Sequence, residues 1–211
     1  MERTLRGAFY LTSFLLLSIL LVGCASIKPM PLQRDKNSAE DNKSIIFGTL
    51  TIKNHVSPYH QPTLKTISVE NNRQTFIYEK PTLFFARNDR TKEYFFSIDV
   101  DPGKVNLEFA HFVTESYVSP KCKTKASISK SIKVPEKSII YAGRYEIDII
   151  SKTNFKDPSV PSGCSSSERD VLGFSKGTFD IKFINDYEAD ASKLKTEFPY
   201  LANSQIINGI P

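Results

Sequence analysis

The side chains here that could do chemistry beyond packing are three histidines, three cysteines and a lysine-dense stretch, in a chain of 211 residues. His55 and His60 lie in HVSPYHQP with Pro58 between them, so they share no helix face. A zinc site takes three or four ligands, and this segment offers no Asp, Glu or Cys beside its histidines. It reads as a solvated loop holding no metal. Ser127 and Lys130 in SISK match S-x-x-K, and KGT at 176–178 approximates K-T-G. That serine nucleophile belongs at a helix start, whereas SISKSIKV alternates as a strand does, and no S-D-N accompanies it. The chain also has no G-x-S-x-G, no H-E-x-x-H and no phosphate loop. Asp99 and Asp101 stand beside a turn and read as solvating charge. These observations point away from an enzyme and call for no cofactor.

Cys122 in SPKCKTK and Cys164 in PSGCSSS both sit in polar, turn-rich sequence. A Cys122–Cys164 disulfide is the economical reading. Closing a loop of about 40 residues stabilises by roughly 4 kcal/mol on a chain-entropy account. The rival is a catalytic cysteine served by His111, which falls on the apolar face of its strand and reads as a core histidine. Polar flanks on both cysteines favour the staple. The lysines of KCKTKASISKSIK (Lys121, Lys123, Lys125, Lys130 and Lys133) form a candidate surface for anionic headgroups or acidic glycans. Near a membrane each lysine contributes ~1 kcal/mol; a solvated loop beside the disulfide is the competing reading. Phe112, placed on the wet face of its strand, and Tyr117 after it offer aromatic contacts. A net charge of +5 without a run of five or six like charges gives nucleic-acid binding little support.

Arg3 and Arg6 head an uncharged stretch from Gly7 to Val22, the layout of an export signal. A spanning helix takes ~20 apolar residues, so an uncleaved anchor is the alternative. Leu21-Val22-Gly23-Cys24 resembles the lipobox of bacterial lipoproteins. The resemblance implies a diacylglycerol on the Cys24 sulfur, cleavage after Gly23, acylation of the new N-terminus and attachment to a membrane through that lipid. Ala25 and Ser26, rather than Asp, follow the cysteine, which favours the outer membrane under the bacterial sorting pattern. The periplasmic or outer side stays open. Export also places Cys122 and Cys164 in an oxidising compartment.

The elements that must position these residues follow from periodicity. Residues 1–23 are the signal, and 24–43 are polar and aperiodic, a flexible tether reaching ~25 Å as a coil. From Ser44 to Ile184 the chain alternates with period two. IIFGTLTIK sets Ile46, Leu50 and Ile52 against Thr49, Thr51 and Lys53; KTISVE, RQTFIYE and TLFFAR follow. EYFFSIDVDPGKVNLEFAHFV reads as a β-hairpin cornered by Asp101-Pro102-Gly103, with Pro presetting φ and Gly accepting a positive φ. In SIIYAGRYEIDII, Ile139, Tyr141, Tyr145, Ile147 and Ile149 share a face, and Gly143 marks a bulge or a close backbone approach. KGTFDIKFI supplies a last strand. The expected fold is all-β, an antiparallel β-sandwich of about 7–9 strands with a short C-terminal helix. In residues 185–211, Tyr187, Ala191, Leu194 and Phe198 share a helical face. Acidic residues come early, Lys193 and Lys195 late, and Pro199 stops the helix. It should cover an edge or end of the sandwich.

FGTL, FFSIDVDPGKVNLEF and SIKVPEKSIIYAGRYEIDI together resemble bacterial lipoproteins with a transthyretin-like (carboxypeptidase regulatory-like) sandwich. Asp101, Pro102 and Gly103 fit its turn, Val134 and Ile139-Ile140-Tyr141 its strand entry, and Gly143 its glycine; Glu136-Lys137 stand where a glycine is usual. The likeness spans roughly residues 45–150 and implies a non-enzymatic accessory or binding module with no catalytic residue. The leading expectation is a tethered interaction module that docks an envelope protein by strand edges or loops. A glycan- or lipid-binding lipoprotein using the lysine segment is second. An envelope hydrolase relying on Ser127 or His111 is third.

Overall fold

The computed structural model describes residues 26–33, 36–37, 42–79, 82–87, 91–114 and 122–210. The signal segment, Cys24, Tyr117 and Lys121 lie outside the described residues.

Two sheets face each other across an apolar core. The first has the order β1 (Ser26–Pro29), β6 (Gln74–Glu79), β5 (Thr63–Asn71), β9 (Gly103–Thr114), β10 (Cys122–Val134). The second runs β12 (Gly177–Ile184), β11 (Ile139–Ser151), β4 (Ser44–Asn54), β8 (Thr91–Val100), β7 (Thr82–Arg87). β13 (Ile206–Asn208) pairs with the start of β11, and β2 (Leu32–Gln33) with β3 (Lys36–Asn37). Leu50, Ile67, Ile98, Leu107 and Ile147 meet between the sheets. The all-β sandwich expected from alternation is present. Most pairs are antiparallel, but β1–β6, β4–β11 and β11–β13 are parallel.

The Asp101-Pro102-Gly103 corner is a turn, and Gly103 takes φ +130° as expected. It does not close a hairpin. β8 pairs with β4 and β7, while β9 pairs with β5 and β10, so the corner carries the chain from one sheet to the other. Both strands are apolar on the core side, and an arch satisfies that pattern as well as a hairpin does. The buried Asn71 side chain braces the arch, accepting from the Asp101 N–H at 3.2 Å and donating to its carbonyl at 3.3 Å.

The inner strands β4, β8 and β11 of the second sheet are buried on both faces over much of their length, which explains near-continuous apolar runs such as IIF, YFF and IIYA. Helix α2 (Tyr187–Glu197) lies on its outer face rather than on an edge, packing Ala191, Leu194 and Phe198 against Phe47, Phe95 and Tyr141. The expected helical face is therefore correct and its placement is not. Helix α1 (Ser166–Val171), capped by Ser165 and Glu168, closes one end of the sandwich over Val160, Leu172 and Phe174.

Two bulges reverse the expected faces. Glu108 is an extra residue in β9, skipped in its pairing with both β5 and β10. An extra residue turns every later side chain to the other face. Phe112 is consequently only 1% exposed in the core, and Phe109, His111 and Val113 point outward. In β11 the register shifts between Tyr141 and Arg144 at Gly143, which has φ +105°, so Tyr141 joins the α2 side while Tyr145 stays between the sheets.

The segment expected as a free tether is docked over Ser26–Leu32. β1 adds to β6 in parallel, and Met30 and Leu32 are buried. The Leu32 N–H donates to the Ser97 hydroxyl at 3.0 Å. Burial of Met30 and Leu32 and the pairing with β6 hold it there.

Candidate functional site

The outer face of the first sheet carries a groove of about 800 Å³. The two α-helices of the described residues pack elsewhere. Its floor is made by outward residues of four strands: Ile27 on β1, Ile77 and Glu79 on β6, Thr66 on β5, and His111 and Val113 on β9. Lys123 and Lys125 of β10 stand opposite Val113 and His111, and Lys65 enters from a bulge of β5 between Leu64 and Thr66. Among the described residues these three lysines have no carboxylate within ion-pair distance. The Lys125 ammonium lies 4.5 Å from the centroid of the Phe109 ring, a cation–π contact that leaves its charge in place.

One wall is the segment Pro161–Gly163. The Cys122–Cys164 bond, with the Cα atoms 5.3 Å apart, pins it to β10 as expected of a loop staple. Thr124 forms an isolated bridge with Ser162, its hydroxyl donates to the Pro161 carbonyl, and the Gly163 N–H donates to the Lys123 carbonyl at 3.0 Å. The Ser162 hydroxyl is buried without a hydrogen-bond partner among the described residues. An unmade hydrogen bond of this kind costs about 1–3 kcal/mol unless a ligand or water meets it.

His111 is not a core histidine. It is half-buried on the groove floor, within 3.4 Å of the Ser68 hydroxyl, with its ring edge-on to Phe109 at 6.2 Å between centroids. Burial, and then the Lys125 ammonium, push its pKa below the ordinary histidine range. Cys122 and Cys164 are joined, so among the described residues no thiol stands with it.

The lysine segment divides between the two faces. Lys123 and Lys125 enter the groove, and Lys133 is exposed opposite Lys104 farther along β10. Lys130 emerges on the other side, its ammonium 4.1 Å from the Phe183 ring centroid. Ser127 instead bonds Ser129 at 2.6 Å on the exposed side, so the S-x-x-K pair is not assembled. His55 pairs with Asp148 at 3.0 Å and His60 with Ser57 at 2.9 Å, two separate sets of partners. Sequence reasoning missed Lys65, Ile77, Glu79, Ile27 and the Pro161–Gly163 wall. Only the wall had a local signal, in Cys164 beside it.

No protein-family description, no curated protein and no solved structure matches this chain.

A second polar cluster lies under α2. The Asp190 carboxylate, with its side chain 0% exposed, accepts from Thr49 at 3.0 Å, from Tyr141 at 2.7 Å and from Arg144. Arg144 and Lys193 also share Glu93, at 3.5 and 2.8 Å. Its groups pair with one another across the sheet–helix junction, with only Arg144 Nε lacking a hydrogen bond among the described residues, so the cluster fastens α2.

Proposed function

We propose that this chain is a non-enzymatic binding module held at a bacterial outer membrane through lipid on Cys24, and that its working surface is the groove on the first sheet. The observation that carries the reading is the groove itself. Its volume of about 800 Å³ falls in the ~300–1,000 Å³ range of small-molecule sites. It also sets unpaired lysines over an apolar floor, the mixture that gives a ligand both area and orientation. The transthyretin-like resemblance implies the same class of accessory module, and the lipobox resemblance implies the anchor. This moves weight from the protein-docking expectation to ligand binding.

Two measurements test it. The intact mass of the full-length chain taken from membranes should show cleavage before Cys24 and added acyl groups, and Cys24→Ser should abolish both. Ile77→Arg puts a cation on the groove floor at a position already half exposed to solvent. Mass spectrometry of small molecules co-purifying with the chain should find a species lost in this variant. Equal recovery from both proteins would sink the groove as the working surface.

A second reading has one observation in its favour. Among the described residues β12 is a sheet edge paired on one side, and Phe183 and Ile184 are 38% and 36% exposed along it. Such an edge can take a strand from an envelope protein partner. In-cell crosslinking that depends on a residue introduced on β12 would support it.

A further inference from the structure

Resting on the groove as the binding surface, we infer that its ligand is a single acyl chain carrying an anionic head. The head sits by Lys65, Lys123 and Lys125, and the chain runs toward Ile77 and Ile27.

Charge and apolar surface are separated along the groove. Lys123 and Lys125 stand on the edge strand β10, opposite Val113 and His111, and Lys65 stands on β5, the strand on the other side of β9. Among the described residues the one carboxylate lining the groove is Glu79 of β6, opposite Thr66 and three strand positions from the β10 lysines. An anion is therefore attracted to one end and repelled from the other. The Ser162 hydroxyl, buried and partnerless among the described residues, lies in the wall at the lysine end. The apolar side chains lie along the path out of that end: Val113 beside the lysines, then Ile77, then Ile27, which is 64% exposed.

Length selects the tail. From β10 to β1 is four strand spacings, ~19 Å at ~4.8 Å each. One lipid tail spans ~15 Å, half of a ~30 Å hydrocarbon core. The groove thus matches one extended chain plus a head, and it is open at the Ile27 end. β1 begins only two residues beyond Cys24, so that open end is also the end a lipid anchor would hold against the membrane. An amphiphile could pass between bilayer and groove tail-last, its head following the lysines.

The test uses the full-length chain in phosphatidylcholine nanodiscs and two photoactivatable probes with the same diazirine palmitoyl tail. One is the fatty acid, and the other is zwitterionic lysophosphatidylcholine. Irradiation and peptide mapping should place fatty-acid adducts on β1, β6 and β9, at about tenfold the yield of the zwitterionic probe. The triple variant Lys65→Ala, Lys123→Ala, Lys125→Ala should remove that preference, and all three positions are exposed, so the fold survives. Glu79→Gln should raise the fatty-acid yield. Equal labelling of these strands by both probes overturns the anionic assignment while leaving a binding groove. Adducts confined to other strands overturn the assignment and the groove together.

Discussion

Gly48 and Gly143 lie against each other across the β4–β11 pair. A Cβ on Gly48 would stand 2.6 Å from the Gly143 carbonyl oxygen, and one on Gly143 would stand 2.2 Å from the Phe183 ring. Gly143 also holds φ +105°, a conformation that side chains resist. Gly143→Ala should cost about 2–4 kcal/mol from backbone strain and displacement of Phe183. Urea unfolding followed by circular dichroism measures it; an unchanged midpoint would contradict the close approach.

The disulfide joins residues 42 apart and holds the groove wall. Replacing both Cys122 and Cys164 with serine should lower stability by about 4 kcal/mol on the chain-entropy account. Hydrogen exchange should speed up at Gly163, whose N–H bonds the Lys123 carbonyl. Exchange that stays slow there would mean the strand bridge alone fixes the wall.

Removing Asp190 strips a buried partner from Arg144, Tyr141 and Thr49. Asp190→Ala should cost about 3 kcal/mol, because Thr49, Tyr141 and Arg144 lose the buried acceptor they share while Arg144 keeps Glu93. Its melting curve should fall accordingly, and one matching wild type would show the network to be idle.

Burial, followed by the adjoining Asp190 carboxylate, pushes the Tyr141 hydroxyl above the ordinary tyrosine range, and burial does the same for Tyr145. The unfolded chain gives up such protons near pH ~10 while the folded chain keeps them. Stability should therefore be level below that pH and fall as pH rises through it. Tyr141→Phe should flatten part of the alkaline loss, and ultraviolet difference titration reads the ionisation directly.

His111 works at the acidic side. Its folded pKa is lowered by burial and by Lys125, with the Ser68 hydroxyl and the Phe109 ring as its other neighbours. Below pH ~6.5 the unfolded chain takes up a proton that the folded chain resists. This group's contribution is then constant above that pH and turns destabilising as pH falls through it. Unfolding midpoints at pH 7.5 and at pH 5.5 should differ less in His111→Gln than in wild type.

Much of the fold is legible in the residues alone. Period-two alternation identifies the strands, the Tyr187, Ala191, Leu194, Phe198 spacing identifies the helix face, and the two late cysteines identify their own bond. Gly103 and Gly143 announce backbone that other residues avoid. These are local properties, set by sterics and by which side chains avoid water.

What alternation leaves undecided is partnership and parity. A strand pattern does not say whether the next strand lies beside it or across the core, so DPG serves an arch as readily as a hairpin. Nor does it say where an extra residue enters. Glu108 is unremarkable in the sequence, yet its bulge sends Phe112 into the core and turns His111 and Val113 outward into the groove. Lys65 and Lys125 come from strands 60 residues apart and meet only because β5 and β10 both flank β9. The elements were written locally; the site exists only through long-range pairing, which depends on packing the whole core at once.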